Sequence, residues 1–455
     1  MPPVDPDVMQ RSIDNPGMSV VAMRPSSAAA ADRPSVRAAT ANTPPATAAP
    51  GTLRGRVLVL AAIACAALNL RLVVTSLSPL LTTVGRELGF GAAVIGVFGT
   101  LPPVAFAVFG LVTPAIMRRL GPEATAVLSM SVTAVGQALR AFAPDTGTLL
   151  VLTGVALAGA ALGNVVLPPL IKQYFPDRLA ALSTVQLVAI HIGALFPPLV
   201  AVPLAEAAGW RFALGAWAVV AMVAAVLWAA QWRGPTAVGT RTGAGAVPPA
   251  PALARPVWRV GMAWRTALLF GMVSWNVFTL FTWLPRLLTD AGRTEAHAGA
   301  MVSLMVGTAL LFGLVAPTLV VRSANTFPIV AVGLFGFAAG YAGIALGPAE
   351  LTPLWAVLLG TGCGLFVVTM TMINTRSTTP GGAAALSGFV QGAGSAMALG
   401  GPLLFGLLGE ATGTWTPSYV LVAGGSLVVA VVVAWVERTP WTVEAAAEGH
   451  ARPRS

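Results

Sequence analysis

The segment Val57-LVLAAIACAALNLRLVVTSLSPLL-Thr82 decides the fold, because it is an apolar run long enough to cross a bilayer. Arg71 is the one charged residue inside it. Fourteen residues of helix separate Arg71 from Val57, a rise of about 21 Å at roughly 1.5 Å per residue, which places the guanidinium near the membrane midplane. A cation at that depth costs at least ~2.5–3.5 kcal/mol and normally faces a bundle interior or a water-filled path. Arg71 is therefore predicted to serve substrate binding or gating; the alternative is a structural clamp on carbonyl groups of neighbouring helices.

Similar apolar runs recur along the whole chain. Hydrophobic residues make up 56% of the sequence and charged residues 9%, against roughly 25% charged in ordinary soluble domains. Backbone polar groups must be satisfied internally in lipid, so runs of this length predict helices rather than an open sheet. Twelve spans are predicted, at 57–83, 92–117, 123–142, 148–170, 180–204, 210–232, 263–288, 297–321, 326–347, 352–374, 383–408 and 416–437. The predicted fold class is an all-α integral membrane protein embedded in the lipid bilayer.

The segments outside the spans predict the domain organisation. Residues 1–55 are rich in Ala, Pro, Ser and Thr, which predicts a disordered cytoplasmic tail. Residues 56–232 and 263–437 are predicted to form an N-terminal and a C-terminal six-helix bundle, joined by a cytoplasmic linker at 233–262. A cytoplasmic C-terminal tail is predicted at 438–455. External loops are predicted to carry only five of the 26 lysines and arginines: Arg86, Arg140, Arg211, Arg286 and Arg293. The positive-inside rule then places both termini in the cytoplasm.

The two halves of the chain repeat each other in the same direction. The stretch from Gly110 to Pro114 resembles the stretch from Gly313 to Pro317, at an offset of 203 residues. Other matches at an offset of 204 are Ala181-Leu182-Ser183 with Ala385-Leu386-Ser387, Glu206 with Glu410, and Gly209 with Gly413. Parallel repeats of this kind predict two bundles related by an axis along the membrane normal, with the substrate path between them near the midplane.

Several short segments occur in the order found in a known family of membrane proteins. They are Asn69-Leu70-Arg71 with Ser76 and Pro79, Leu101-Pro102, 110–121, 209–217, Trp283-Leu284-Pro285, Asp290-Ala291-Gly292, Gln391-Gly392 and 401–404. With these segments, residues 57–437 resemble the major facilitator superfamily, and within it the cyanate permease and 2-nitroimidazole transporter family. The resemblance implies a secondary transporter that works by alternating access and whose characterised relatives move cyanate or nitroimidazole-like molecules.

Some positions depart from the pattern of that family. Leu72 stands where proline commonly follows the Asn-Leu-Arg motif, so no kink is expected at that point. The seventh span has Val273 before Ser274 and Phe278 after it, where the family typically has glutamine and an aromatic hydroxyl. Two polar groups are thereby missing from the expected cavity, which favours a substrate different from those named for the family.

Polar residues within the spans are the candidate substrate contacts. Arg71, Thr75 and Ser78 follow one another at i, i+4 and i+7, so they share one helix face. Asn69 belongs to the same motif, Asn276 lies in the seventh span and Gln391 in the eleventh. For each amide or hydroxyl the alternative is a hydrogen bond within its own helix or to a neighbouring helix. Asn164, a polar outlier of the fourth span, has the same two interpretations.

Titratable groups inside the spans are few. Apart from Arg71, His191 is the only titratable residue expected deep in a span, and it is the candidate for carrying a coupling proton. The alternative is that its ring is hydrogen-bonded to a carbonyl group. No Asp or Glu falls in a span interior, so the carboxylate relay common in symporters is not expected. Arg118 and Arg119 follow the second span, where they are predicted either to gate the two halves or simply to set membrane orientation.

Other classes of protein are disfavoured by missing chemistry. Lys172 is the only lysine and is not preceded by glycine, so no phosphate-binding loop can form. The three histidines form no cluster with each other or with cysteine, so no metal site is predicted. The spans contain no paired nucleophile and base, so an enzyme is not predicted either. Neither a cofactor nor nucleic acid is expected, and the chain is expected to be a monomer. The sequence therefore predicts a secondary active transporter of a small polar or anionic solute. The alternatives are a drug or metabolite efflux transporter, or a transporter-derived sensor that binds without flux.

Overall fold

Helices dominate the computed structural model, which describes residues 53–233, 255–323, 325–436 and 442–448. Nearly all of the predicted N-terminal tail lies outside the described residues, and so does most of the predicted linker. The first half comprises α1 (Leu53–Thr75), α2 (Leu81–Leu88), α3 (Ala92–Leu120), α4 (Pro122–Arg140), α5 (Thr146–Tyr174), α6 (Leu179–Gly215) and α7 (Ala218–Arg233). The second half comprises α8 (Gly261–Asp290), α9 (Glu295–Arg322), α10 (Phe327–Leu346), α11 (Thr352–Thr375), α12 (Pro380–Ala398), α13 (Gly400–Thr412) and α14 (Thr416–Val436). A last short helix, α15, covers Val443–Glu448.

These helices supply the twelve predicted spans. Nine of the described segments are long and apolar enough to cross a membrane, and one of them, Ala181–Arg233, contains two helices. Pro122–Arg140 and Thr416–Val436 have 19 and 21 residues. At roughly 1.5 Å per residue each is close to the ~30 Å hydrocarbon thickness of a bilayer. The predicted all-α membrane fold is confirmed.

Glycines at corresponding positions make the turns of the two halves. Gly209 has φ 83° and breaks the long run of α6 between the fifth and sixth spans, while Gly413 has φ 66° and ends α13 before the twelfth. Only glycine adopts such left-handed backbone without steric cost. Gly89 and Gly292, after the first and seventh spans, also have positive φ and are 203 residues apart. The sequence repeat therefore includes the positions that have a positive φ.

The two halves pack together through corresponding pairs of helices. Helix α6 packs against α9, and α3 packs against α13. In the order of spans these are the fifth with the eighth and the second with the eleventh, which is the pairing expected for two parallel repeats. We call the end of the bundle that carries the turns near residues 89, 141 and 292 the outer end, and the opposite end the inner end.

The first span is broken in its outer part. Helix α1 ends at Thr75, a 3-10 turn follows at Ser78–Leu80, and α2 continues the span. Pro79 lies in that turn and has no N–H to continue an α-helix. The break therefore follows Pro79 rather than the position of Leu72, where no kink was expected.

Arg140 is not the external loop residue that the sequence predicted; that expectation is wrong. It occupies the last turn of α4, is 0% exposed, and donates from one guanidinium nitrogen to Ser76 Oγ at 2.7 Å and from the other to Val73 O at 3.3 Å. Carbonyl groups at a helix C-terminus lack partners within the helix and attract cations. Arg140 thus caps the broken end of α1.

The C-terminal segment contains a docked helix. Val443 and Ala447 of α15 are buried, and the Glu444 carboxylate accepts hydrogen bonds from Thr379 N (3.0 Å), Thr379 Oγ1 (2.9 Å) and Thr378 N (3.1 Å). Burial by itself raises the pKa of Glu444, but these donors outweigh it and hold the pKa below its usual range. A carboxylate in this position also suits the positive end of α12.

Candidate functional site

A cavity of about 530 Å³ lies between the two halves. The first half lines it with Leu70, Arg71, Phe106, Asn164, Val165, Pro168, Leu187, Ile190, His191 and Ala194. The second half lines it with Val277, Phe281, Met305, Val306, Ala309, Cys363, Phe366, Val367, Met370 and Gln391. Because both repeats contribute, the cavity occupies the place where parallel-repeat transporters bind substrate.

Arg71 projects into this cavity between two aromatic rings. Its guanidinium carbon lies 5.8 Å from the ring centre of Phe106 and 5.4 Å from that of Phe366, one ring from each half. One terminal nitrogen, Nη1, is buried with no hydrogen-bond partner, and no carboxylate pairs with Arg71 among the described residues. A partly buried guanidinium with unused donors is suited to an anionic or strongly polar ligand.

His191 and Gln391 line the same cavity as Arg71. The Nδ1 atom of His191 lies 2.9 Å from Leu187 O, and since a carbonyl oxygen only accepts, Nδ1 carries the hydrogen. The neutral imidazole then keeps Nε2 as an acceptor. Gln391 donates from Nε2 to Ser387 Oγ at 2.7 Å, one turn earlier on α12. Thus three of the predicted site residues come together, and Asn164 joins them.

The other predicted contacts do not line the cavity in this conformation. Asn69 and Asn276 are buried, and each donates its amide to a carbonyl group four residues earlier in its own helix. Thr75 is also fully buried, and its hydroxyl lies near Arg71 O and Gly193 O. Ser78 donates to Phe281 O in the second half. A substrate role for these four residues stays a prediction.

Arg118 and Arg119 are exposed in the last turn of α3, at the inner end. No ion pair of either residue occurs in the part of the chain that the structure describes. Their gating role stays a prediction, since orientation alone would give the same exposed position.

Hydrogen bonds join the two halves at the outer end. Glu295, at the start of α9, accepts from Thr83 Oγ1 at 2.7 Å and from Arg86 at 2.8 Å. Glu410 accepts from the backbone N–H of Ala93 at 3.0 Å, at the first turn of α3. Deeper in the bundle, Ser303 donates to Leu195 O at 2.7 Å. All these residues lie outward of the cavity along their helices, so the cavity is closed on its outer side.

Two glycines at corresponding positions of the repeat let the backbones of the two halves approach closely. A Cβ placed on Gly299 of α9 would collide with the carbonyl oxygen of Pro198 in α6. A Cβ placed on Gly96 of α3 would lie 3.1 Å from the carbonyl oxygen of Pro402 in α13. The two glycines are 203 residues apart and the two prolines 204, the same offsets as the sequence repeat. Small residues allow backbones in membranes to approach this closely.

Two repeated halves of membrane-spanning helices enclose a cavity that contains an arginine. This architecture is that of a multi-pass membrane transporter of small solutes. The sequence profile of the Major Facilitator Superfamily matches residues 59–399. The chain belongs to that superfamily, and the resemblance drawn from the sequence is confirmed; this family consists of transporters, not enzymes.

Relatives of known name lie in the predicted group. The 2-nitroimidazole transporter of Escherichia coli (strain K12) is 31% identical over 380 residues, which cover 83% of this chain and 95% of that protein. The cyanate transport protein CynX of the same organism is 24% identical over 355 residues, 76% of this chain and 89% of that protein.

Solved structures agree with the fold. The nucleoside transporter NupG superposes with a TM-score of 0.66 at 15% identity, covering 83% of this chain and 99% of that one. The D-xylose–proton symporter gives a TM-score of 0.64 at 13% identity, covering 83% and 96%. At these identities the likeness concerns the fold alone.

Several cavity residues gave no signal in the sequence. Phe106, Phe366, Met305 and Met370 are apolar residues in apolar helices, where hydrophobic pattern does not separate lipid-facing from cavity-facing positions. Asn164 was visible only because it is polar.

Proposed function

We propose that this protein is a secondary active transporter that carries a small polar or anionic solute through the central cavity by alternating access. Arg71 is the observation that supports this most directly, since it offers unpaired guanidinium donors to a cavity between the two repeats. The proposed solutes are cyanate-like or nitroimidazole-like, which follows from the names of the two relatives. Both termini are proposed to lie in the cytoplasm, so that the state described here faces inward.

Electrical work limits how an anion can be moved. With the potential negative inside, carrying one negative charge inward costs ~2.3 kcal/mol per 100 mV. Uptake of an anion therefore requires a co-transported cation or an exchanged anion, whereas efflux does not. His191 is the proposed proton carrier, because it is the histidine that lines the cavity.

Transport by reconstituted protein tests this proposal. Proteoliposomes would be supplied with cyanate, nitrate, acetate or 2-nitroimidazole, with and without an imposed pH gradient, and Arg71→Gln would serve as the binding-deficient control. We expect flux of at least one of these solutes that the substitution abolishes. Binding without flux would instead identify a sensor, and flux unaffected by Arg71→Gln would remove the cavity from the mechanism.

Efflux of a drug or metabolite is the second candidate, favoured by the many apolar side chains that line the cavity. Direction separates the two candidates. Vesicles of opposite orientation would be loaded with the same solute, and net movement against its gradient in only one of them gives the physiological direction.

A further inference from the structure

The chemistry of the cavity wall is uneven. Among the described residues that line the cavity, Arg71 is the only permanent charge, and none is Asp or Glu. Most of the remaining lining is apolar, with three phenylalanines and two methionines. The volume of about 530 Å³ falls within the ~300–1,000 Å³ typical of sites for drug-sized ligands. A three-atom anion such as cyanate would leave most of this wall without a partner.

One helix supplies a continuous apolar face opposite the arginine. Cys363, Phe366, Val367 and Met370 of α11 follow at i, i+3, i+4 and i+7, which places them on one side of the helix. The Phe366 ring is supported from behind by Phe270, with 5.4 Å between ring centres. The wall is therefore apolar along its length, and its one ring packs against a second ring.

The surroundings of Arg71 disfavour a small hydrated anion. An anion that enters here exchanges its water for the Arg71 guanidinium and for the few polar side chains of the wall, Asn164, His191 and Gln391, while rings and thioethers face most of its other sides. Charged groups lose much solvation in such surroundings. An apolar body attached to the anionic group offsets that loss, because it removes its own apolar surface from water against the wall.

We propose that the transported solutes are amphipathic monoanions with a flat apolar body, of benzoate size or larger. Arg71 holds the anionic group, and Phe366 with Met370 receives the body. This substrate class rests on the proposed function, because it concerns the same cavity. It keeps the transporter mechanism of the proposed function and replaces the cyanate-like or nitroimidazole-like solutes, which follow only from the names of the relatives.

A matched series of ligands tests the assignment. Equilibrium binding to the purified protein would be compared for benzoate, acetate, benzamide and cyanate. Acetate has the charge without the body, and benzamide has the body without the charge. Burying ~100 Å² of ring surface at about 25 cal/mol/Å² gives benzoate a roughly tenfold to hundredfold advantage over acetate. Benzamide is also expected to bind at least tenfold more weakly than benzoate. Acetate or cyanate binding as tightly as benzoate, or benzamide matching it, overturns the proposal.

Substitution of Phe366 tests whether its ring receives the apolar body of the ligand. Phe366→Leu is expected to weaken benzoate binding about tenfold while changing acetate binding less than twofold, by the same area argument. Phe335→Leu is the matched control, since Phe335 lies on α10 with 67% of its surface exposed. Equal losses for both ligands in Phe366→Leu contradict the proposed role of the ring. If that variant does not fold, the ligand series on the unmodified protein decides alone.

The outcome separates this proposal from the proposed function. Arg71-dependent flux of cyanate without benzoate binding would overturn the substrate class and leave the transporter assignment standing. Absence of Arg71-dependent binding and flux for every probe would overturn both.

Discussion

At the scale of single residues, two arginines inside the bundle have different surroundings. Fully buried Arg140 donates through both terminal nitrogens, to Ser76 Oγ and to Val73 O, and only its Nε lacks a partner. Partly buried Arg71 has an unpartnered Nη1 and lies between two aromatic rings. A buried cation with partners stabilises the fold that supplies them, and one without partners lowers stability until a ligand arrives. The sequence could identify Arg71 because it lies in mid-span. It could not identify Arg140, because a residue at the end of a span looks like a loop residue.

Replacing Arg71 is expected to separate binding from stability. Arg71→Gln removes a partly buried charge that no carboxylate compensates, so the melting temperature of the empty protein should rise. Loss of a charge-assisted hydrogen bond to ligand costs about 1.5–3 kcal/mol, or roughly a tenfold to hundredfold loss of affinity. Arg71→Lys should bind with intermediate affinity, because an ammonium lacks the planar fork. Thermal unfolding and ligand binding measured on the same samples check both effects. A variant that melts lower and binds normally would show that Arg71 is a structural clamp.

Arg140→Gln is expected to have the opposite effect on stability. The substitution leaves the end of α1 without its cap, at a cost of about 1.5–3 kcal/mol for hydrogen bonds from a charged donor. The melting temperature should fall, while the affinity of folded protein for ligand should change little. Because the same chemical change is made at both positions, a similar shift in both variants would contradict the distinction drawn here.

Removing the titratable group at 191 is expected to uncouple transport from protons. Glutamine can still donate to Leu187 O but cannot carry a proton, so His191→Gln should abolish pH-dependent accumulation and preserve solute exchange. Accumulation would be measured across about pH 5.5–8, the range over which histidine ordinarily titrates. His297→Gln, at the outer start of α9, is the control. Accumulation in His191→Gln that follows pH as in the unmodified protein would exclude this residue from coupling.

At the scale of elements, the apolar pattern predicted the helices well, but not which way their side chains face. The predicted spans correspond to described helices because lipid imposes a minimum length and excludes unpaired backbone. Thr75 and Ser78 share a face with Arg71 by spacing, yet the break after Thr75 turns Ser78 away towards Phe281. Helical periodicity assumes an unbroken helix. Because Pro79 interrupts the helix, the spacing does not predict which way Ser78 faces.

Helix α15 is expected to detach in acid. The pKa of Glu444 is lower in the folded protein than its ordinary value, so its contribution to docking is fully present at neutral pH. That contribution disappears as pH falls below about 4.3 and through the folded-state pKa. Glu444→Gln should loosen the helix even at pH 7. Hydrogen exchange of the α15 amides would show faster exchange in this variant.

Asp145→Ala provides the control for that measurement. Asp145 caps α5 by accepting from Thr148 N at 2.9 Å, so the substitution removes the acceptor and should speed exchange at the start of α5 while it leaves α15 unchanged. Unaltered exchange of α15 in Glu444→Gln would show that the apolar residues of that helix dock it without the carboxylate.

At the scale of the whole molecule, the repeat predicted more than any single motif did. An offset of 203–204 residues, read from a few matching segments, recurs in the turns and in the contacts between the halves. The state of the transporter could not be predicted in this way, because a repeat describes both the inward-facing and the outward-facing arrangement equally. Which end is closed depends on side-chain contacts that only the folded chain brings together.

Those contacts lead to a prediction about alternating access. Gly299→Ala puts a methyl group where the Pro198 carbonyl lies, so the outer end cannot close fully and the population should shift towards molecules open at that end. Gly96→Ala should shift it less, since its Cβ would have 3.1 Å to the Pro402 oxygen. Gly110→Ala is the control, because no atom lies within 4 Å of that Cβ.

Spin-label distances across the outer end measure this shift. Phe142→Cys and Leu346→Cys would carry the labels, being 79% and 89% exposed and on different halves, in a background with Cys65→Ala and Cys363→Ala. A longer distance should become more populated in Gly299→Ala, to a smaller extent in Gly96→Ala, and not in Gly110→Ala. Gly299 allows α9 and α6 to pack closely at the outer end. A distance distribution unchanged by Gly299→Ala would therefore mean that the bundle does not open between these two helices. The alternating-access proposal would then have to place its outer gate elsewhere.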